Sequence, residues 1–309
     1  MIYLKAISNY IPSQVIDNIE NAKAFSESES FIINKIGARQ LPRLPYDEQA
    51  SDIGSAAVRA LCDQHGLNFE EIEALVVITQ NGDFGGLPHT SAIIHGKLGL
   101  PEQVACFDIG LGCSGYVYGL SILKAHMQEM GFQNAVLVTA DPYSKIVDSN
   151  DRNTSLLFGD AATASWLSVN GEWEIQRPLL ATNGQGYSAL VKQESLVMDG
   201  RSVFNFAAQN VPDQINNYLE KFNLVHDDID LFLLHQGSAA IIDVITRKLN
   251  YSKDKFIFDI ENTGNTVSSS IPLLCERYIK ESRFNKIVIS GFGVGLSWAT
   301  TLLSKKVSI

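Results

Sequence analysis

Cys113 is the side chain whose sequence context best fits a nucleophile. It lies in a glycine-rich run at residues 110–115, between an apolar stretch that predicts a strand and one that predicts a helix. Small neighbours let the backbone turn sharply and let a substrate approach. A helix that begins here would direct its N–H groups at the sulfur and stabilise the reactive thiolate. The alternative role for Cys113 is that of a small apolar residue in a tight turn.

His235 and Asn265 are candidates for proton transfer and hydrogen bonding. His235 directly follows the apolar run 231–234, so we expect it at a strand end, facing a cleft. Asn265 follows Gly264, and this pair also fits a purely conformational role because Asn tolerates left-handed geometry. A lone histidine is likewise more often structural. Neither residue indicates a function by itself.

A second glycine-rich run lies at residues 291–295. A GxGxG pattern can cradle phosphate, but no helix pattern follows it, so a dinucleotide-binding loop is a poor fit. A backbone N–H that donates to a developing oxyanion fits this run better. The other three cysteines, Cys62, Cys106 and Cys275, fall within predicted helices or strands and are expected to pack in the core.

An internal repeat explains how distant residues could meet. The triplet Phe-Asp-Ile occurs at 107–109 and at 258–260, and 258 − 107 = 151. Lys-Leu occurs at 97–98 and at 248–249, with the same offset, 248 − 97 = 151. The first triplet leads into the Cys113 loop and the second into the Asn265 loop. We therefore predict a duplicated scaffold with an active site between its two halves.

The elements that must position these residues alternate between strand and helix. Apolar runs and periodicity predict strands at 2–7, 75–78, 106–109, 135–139, 231–234, 256–260, 286–290 and 298–303. They predict helices at 52–64, 89–98, 114–130, 210–222, 239–249 and 271–280. This alternation is typical of an α/β protein with buried sheets and helices on their faces. Residues 170–200 break the pattern and are predicted to be an insertion or loop.

Composition narrows the classes of function. The chain has 309 residues, of which 45% are hydrophobic, enough for a large core. Its formal net charge of −10 argues against nucleic acid or an anionic membrane as partner. The four cysteines show no CxxC spacing, so we expect neither a disulfide framework nor a zinc site. With no signal peptide and no membrane-spanning run in view, we expect a soluble, cytoplasmic protein.

Together these motifs resemble the thiolase superfamily and, within it, the 3-oxoacyl-ACP synthase III group, over essentially the whole chain. The resemblance rests on Cys113, His235-Gln236, residues 264–266 and 291–298, Asp151-Arg152 and residues 158–161. It implies a thiolase-like fold in which halves 1–170 and 171–309 pack as a layered αβαβα unit. Thiolases carry a second cysteine in the last glycine loop, and elongating synthases use two histidines. This chain has neither feature.

The resemblance also implies a mechanism. Cys113 would take an acyl group from acyl-CoA, with the backbone N–H groups of Cys113 and Val294 as the oxyanion hole. His235 and Asn265 would stabilise the enolate formed when malonyl-ACP or malonyl-CoA loses CO₂, and the product would be a 3-oxoacyl thioester. The resemblance implies no cofactor and no metal beyond these thioester substrates.

Binding residues follow from the same resemblance. Its implied substrate and CoA-binding positions are Phe31, Lys35, Leu87, Arg152, Gly200 and Ser238. In a homodimer, Leu87 is expected to reach the partner subunit's acyl tunnel. The chain departs from the family at several positions: Phe31 replaces tryptophan, Lys35 replaces arginine, Val294 replaces glycine, and Asn205 and Ala240 replace basic residues that bind the carrier protein. These departures point to a specialised fatty-acid or secondary-metabolite synthase.

Two other functions stay open at this point. One is an acyltransferase that moves an acyl group to an oxygen or nitrogen acceptor without decarboxylation. Asn265 favours condensation over this alternative, because simple transfer needs no amide to stabilise an enolate. The other is a partner subunit of a heteromeric synthase, against which the intact set of Cys113, His235 and Asn265 counts.

Overall fold

The structure, a computed structural model, describes residues 1–306. Within these residues the strands β1–β14 are Tyr3–Tyr10, Val15–Asp17, Gln40–Pro42, Ala74–Ile78, Ala105–Ile109, Asn134–Ala140, Ala162–Ser168, Trp173–Ile175, Leu179–Thr182, Leu190–Lys192, Leu196–Met198, Leu231–Leu234, Lys286–Gly293 and Ser297–Lys305. The helices α1–α9 are Asn18–Lys23, Glu29–Phe31, Ala50–His65, Thr90–Leu98, Gly115–Met130, Arg152–Ser155, Gly200–Lys221, Ala239–Leu249 and Ser270–Tyr278, and a π-helical turn, Ile32–Ile36, continues α2.

One large sheet runs through the part of the chain that the structure describes. Its strand order is β12-β13-β14-β8-β1-β7-β6-β4-β5, and β9 also pairs with β14. In the first half β4 lies parallel to β5 and β6, and β6 lies antiparallel to β7. In the second half β12 lies parallel to β13, and β13 lies antiparallel to β14. The repeated pairing order agrees with a duplication, and the boundary between residues 170 and 171 stays a prediction.

Helices and sheet alternate in layers, as the alternating side chains of each strand require. Ile78 of β4 and Ile289 of β13 point into one central core, where α5 and α9 also pack. Val77 points to the opposite face, against α3 and α4. Val288 points to the other outer face, against α7 and α8. The resulting order α-β-α-β-α confirms the thiolase-like layered fold.

The helices with clear apolar periodicity lie where the sequence predicts them, but several other regions differ, and strand β7 is not among the predicted strands. Residues 170–200 are not a plain insertion, because β8 and β9 add to the main sheet and β10 and β11 form a hairpin. Helix α7 begins at Gly200, ten residues before the predicted 210, because Asp199 caps it by accepting from the N–H groups of Arg201 and Ser202.

The predicted strand at 256–260 does not form. Phe256 makes only an isolated parallel bridge with Phe232. At Asp259, side-chain contacts replace strand pairing. The N–H of Asp259 donates to Oε1 of Gln236 at 3.0 Å, and the Asp259 carboxylate pairs with Arg277. The second Phe-Asp-Ile triplet is therefore irregular chain, and side chains contact its central residue, Asp259. Separately, no helix within residues 1–306 is long and apolar enough to cross a bilayer.

Candidate active site

A pocket between the two halves brings the three candidate catalytic residues together. Cys113, His235 and Asn265 all line it, and its cavity volume is about 190 Å³. The other walls are largely apolar and include Ile36, Tyr143, Leu157, Phe158, Leu190, Met198, Val203, Phe204, Ile241 and Phe292. An apolar pocket with a few converging polar groups is the usual form of a small-molecule site.

Cys113 lies between the end of β5 and the start of α5, as predicted, and is only 5% exposed. The turn is fixed by the N–H of Gly115, which donates to the carbonyl of Gly112 at 2.7 Å. The Ser114 hydroxyl lies 2.6 Å from that of Ser297 on β14. Through these bonds the nucleophile loop of the first half is attached to a strand of the second half.

The glycine run of the second half passes directly over the thiol. A Cβ on Gly293 would lie 2.9 Å from the sulfur of Cys113, so only glycine fits there without displacement. The nearby backbone N–H groups of Cys113 and Val294 act to lower the pKa of the Cys113 thiol. Backbone N–H groups beside a reacting sulfur are candidates to stabilise the oxyanion that develops next to it. The Val294 side chain is half-buried and does not line the pocket.

Burial of Cys113 opposes the thiolate that the start of α5 is predicted to stabilise. Burial, together with the Asp141 carboxylate, raises the pKa of the Cys113 thiol from 9.0 to about 12. The two N–H donors act in the opposite direction but do not outweigh burial, because a thiolate loses its hydration in the apolar pocket. Burial therefore favours the neutral thiol, whose proton must leave when the sulfur attacks.

Asp141 is a buried carboxylate that sequence reasoning missed. It follows β6 and accepts hydrogen bonds from the N–H of Gln80 at 2.7 Å and from the Ser268 hydroxyl at 2.5 Å. Burial raises the pKa of Asp141 from 3.8 to about 6 despite these bonds. Asp141 thus connects the Asn265 loop to the first half. An acidic residue directly after an apolar strand is the signal that could have identified it.

His235 directly follows the last residue of β12, as predicted, and a serine hydroxyl contacts its ring. Its Nδ1 lies 2.7 Å from the hydroxyl of Ser270, whose oxygen also lies 3.1 Å from the Val267 carbonyl. The hydroxyl can donate to either group, so both neutral tautomers of the ring are compatible with this contact. Burial lowers the pKa of His235 from 6.5 to about 3, so the ring is neutral at physiological pH. Ser270 was also not predicted as a site residue. The serine run 268–270, which it ends, is the signal that could have identified it.

Asn265 is buried and its amide orientation is set by the loop that follows. Its Oδ1 accepts from the N–H of Val267 at 2.9 Å, which leaves Nδ2 as the donor, 3.4 Å from the Gly237 carbonyl. Val267 has a φ of 54°, an unusual conformation for a β-branched residue. Such strain concentrates at functional sites and persists only where surrounding contacts impose it. The left-handed residues of this loop are Gly264, with a φ of 64°, and Val267, whereas Asn265 does not have a positive φ, so its side chain is better explained as a hydrogen-bonding group.

The predicted binding residues divide into two groups. Phe31, Arg152, Gly200 and Ser238 line the same pocket as the catalytic candidates. Lys35 does not line it: this side chain is exposed on the π-helical turn. Leu87 also lies outside the pocket, and it is 85% exposed. Among residues 1–306, no group of three or more His, Cys, Asp or Glu side chains is placed to hold a metal ion.

Comparison with protein families gives two matches. The model described as 3-oxoacyl-[acyl-carrier-protein (ACP)] synthase III matches residues 107–184, and the model of the C-terminal part of the same enzymes matches residues 219–305. A beta-ketoacyl-[acyl-carrier-protein] synthase III from Campylobacter jejuni is 32% identical over 313 residues, which cover 97% of this chain and 96% of that protein. The chain belongs to the 3-oxoacyl-ACP synthase III family.

Solved structures agree with this membership. The 3-oxoacyl-(acyl carrier protein) synthase III of Pseudomonas aeruginosa superposes with a TM-score of 0.90 at 27% identity, covering 98% of both chains. The priming beta-ketosynthase of the R1128 polyketide pathway superposes with a TM-score of 0.89 at 27% identity, covering 98% of this chain and 96% of that one. As a 3-oxoacyl-ACP synthase III family member, this protein is an enzyme of the acyltransferase class.

Proposed function

We propose that this enzyme joins an acyl group to a malonyl thioester with loss of CO₂, and that Cys113, His235 and Asn265 carry the reaction. The observation that supports this proposal most strongly is the convergence of a thiol, a neutral histidine and an oriented amide in one apolar pocket. Family membership supports the reaction class. The assignment of each role rests on the geometry of this site.

In the first step, the Cys113 sulfur attacks the carbonyl carbon of an acyl thioester. The new carbon–sulfur bond forms, the carrier thiolate leaves, and it takes up the proton that the cysteine loses. Negative charge collects on the carbonyl oxygen, where the N–H groups of Cys113 and Val294 stabilise it. Each such donor contributes about 3–4 kcal/mol to a transition state. Neutral His235 is the group available to move the thiol proton.

In the second step, a malonyl thioester binds beside the acylated cysteine. Its carbon–carboxylate bond breaks, CO₂ leaves, and the electron pair forms an enolate whose oxygen accepts from Nδ2 of Asn265 and from His235. The enolate carbon attacks the acyl carbonyl, the bond to Cys113 breaks, and the thiolate is reprotonated from solvent. The product is a 3-oxoacyl thioester. Asn265 suits this role because an amide donor does not titrate.

The test is a two-stage assay on the purified enzyme. Incubation with a panel of acyl-CoAs should add the mass of one acyl group, located at Cys113 by peptide mapping. Addition of malonyl-CoA or malonyl-ACP should then release CO₂ and discharge the cysteine as a 3-oxoacyl thioester. Acylation without CO₂ release would favour transfer to an oxygen or nitrogen acceptor, and failure to acylate would favour a partner-subunit role.

We also propose that the enzyme acts as a homodimer. The loop between β4 and α4 exposes two large apolar side chains, Phe84 at 70% and Leu87 at 85%, which supports a contact with a second subunit. Leu87→Asp should shift the species measured by light scattering toward the monomer, whereas Tyr46→Asp, a change at another exposed aromatic side chain, should not. An unchanged mass for the Leu87 variant would contradict this interface.

A further inference from the structure

Arg152, at the mouth of the pocket, is already engaged by three groups of the chain itself. Its guanidinium lies over the ring of Phe31, with 4.6 Å between the guanidinium carbon and the ring centroid. Its Nε donates to the Glu27 carboxylate, and its Nη1 donates to Oδ1 of Asn153 at 3.2 Å. The cation and the ring that line the mouth therefore cover each other.

Glu27 is held in this position by its own backbone. It lies in the turn between α1 and α2, after Ser26, whose φ of 57° turns the chain inward. The N–H of Glu27 donates to the Ala22 carbonyl at 3.1 Å. The Glu27 side chain is only 21% exposed, whereas Ser28 beside it is exposed. The carboxylate is thus fixed against Arg152 rather than free in solvent.

An anionic substrate group and Glu27 compete for the same cation. A phosphate that binds Arg152 must either displace the carboxylate or bind close to it, and like charges at short range repel. An aromatic base that stacks on Phe31 must first displace the guanidinium from the ring. The family resemblance implies basic residues that bind the carrier at two further positions, and Asn205 and Ala240 at these positions are neutral.

We propose that Glu27 is a specificity-determining residue that disfavours thioesters of nucleotide-bearing, polyanionic carriers relative to thioesters of neutral pantetheine-like carriers. This inference rests on the proposed acyl transfer to Cys113. Glu27 touches neither the reacting carbon nor Cys113. It acts by occupying Arg152, so its effect belongs to binding of the carrier end and not to bond making.

The test compares two thioesters of the same acyl group, one of CoA and one of N-acetylcysteamine, which carries no charge. Acylation of Cys113 by each is followed by mass spectrometry to give kcat/KM. Glu27→Gln should raise the ratio of the CoA value to the N-acetylcysteamine value by roughly two- to fivefold, the strength of an exposed ion pair. The gain should appear mainly in KM and should shrink as salt is raised, because salt screens the Glu27 charge.

Glu29→Gln is the matched control, since Glu29 lies two residues away and pairs with Arg39 at 3.3 Å instead of Arg152. Its ratio should equal that of the wild type. An unchanged ratio in Glu27→Gln would overturn the inference, and so would an equal rise with both thioesters, which indicates general loosening of the mouth. If neither thioester acylates the wild-type enzyme, the proposed function itself fails, and this inference fails with it.

Discussion

The Cys113 loop and the Asn265 loop lie at equivalent places in the two halves but are built differently. The first follows a regular strand, β5, and leads through glycines into α5. The second follows an irregular segment and reaches α9 through Val267 in a left-handed conformation. The Cys113 thiol lies beside the backbone N–H groups of Cys113 and Val294, whereas Asn265 is held by hydrogen bonds to its side-chain oxygen and to its backbone.

This difference matches what each group is proposed to do. A nucleophile must form and break a covalent bond, so its sulfur has to stay free of strong partners. A hydrogen-bond donor must keep one orientation, so the Asn265 oxygen is occupied, and the nitrogen, which also donates to the Gly237 carbonyl at 3.4 Å, has a second N–H for the ligand. The comparison teaches that a duplicated scaffold can keep its helices and strands while each copy specialises the turn between them.

Removing the thiol should have the largest effect. Cys113→Ala should abolish acylation by acyl-CoA, because the other cysteines are not at the pocket. Intact-mass analysis measures this directly. Cys62→Ala, which changes a half-buried cysteine of α3, should acylate like the wild type. Persistent acylation of the Cys113 variant would show that Cys113 is not the nucleophile.

Removing the Asn265 side-chain amide should distinguish the roles of the two loops. Asn265→Ala should lower CO₂ release from malonyl thioester by about 10²–10³-fold, the usual loss for one oxyanion donor. Acylation of Cys113 should change far less, because the first step does not use Asn265. Radiolabelled CO₂ release and intact mass report the two steps on the same sample. If acylation falls as much as CO₂ release, Asn265 supports the fold of the pocket instead of the enolate.

Asp141 connects the two loops, and its ionisation should make the stability of the folded protein depend on pH. Its folded-state pKa is raised, so its stabilising contribution is fully present below about pH 3.8 and is lost as pH rises through about 6. Asp141→Asn stays neutral, so its stability relative to the wild type should rise between these pH values by about 3 kcal/mol at most. Urea unfolding at pH 4.5 and pH 8 measures this difference. A difference that does not change with pH would contradict an ionised, buried carboxylate.

Ser270 should produce the smallest effect. Ser270→Ala removes the contact to Nδ1 of His235 and should lower the condensation rate by about tenfold, the value of one hydrogen bond. Ser270→Thr keeps the hydroxyl and should recover most of the rate. The dependence of the rate on pH below pH 6 should also differ between Ser270→Ala and the wild type. A merely structural role of Ser270 would not produce this difference. A flat profile together with full activity would show that His235 needs no such partner.

Much of this architecture could be predicted from the sequence, because helices such as α5 and α8 have clear apolar periodicity and Cys113, His235 and Asn265 all follow predicted strands. Strand β8 could not be predicted, because its three residues form a strand only by pairing with β1 and β14. Ser270 and Asp141 escaped because their roles depend on contacts between residues far apart in sequence.

The exposure of Lys35 could not be predicted. The turn at Ile32–Ile36 is π-helical, Lys35 is exposed on it, outside the pocket that Phe31 lines, and its binding role stays a prediction. The thiol pKa could not be predicted either, since it depends on how deeply the pocket buries Cys113 and on Asp141 beside it.

Strand β8 also determines how the protein unfolds. Trp173 pairs with Leu4 of β1 on one side and with Lys305 of β14 on the other, so the backbone ladder is continuous from one half to the other. A polypeptide cut between the halves would leave unpaired strand edges, which promote aggregation. We therefore expect the two halves to unfold in a single cooperative transition, and the amides of β8 to exchange with deuterium only as slowly as the whole protein unfolds.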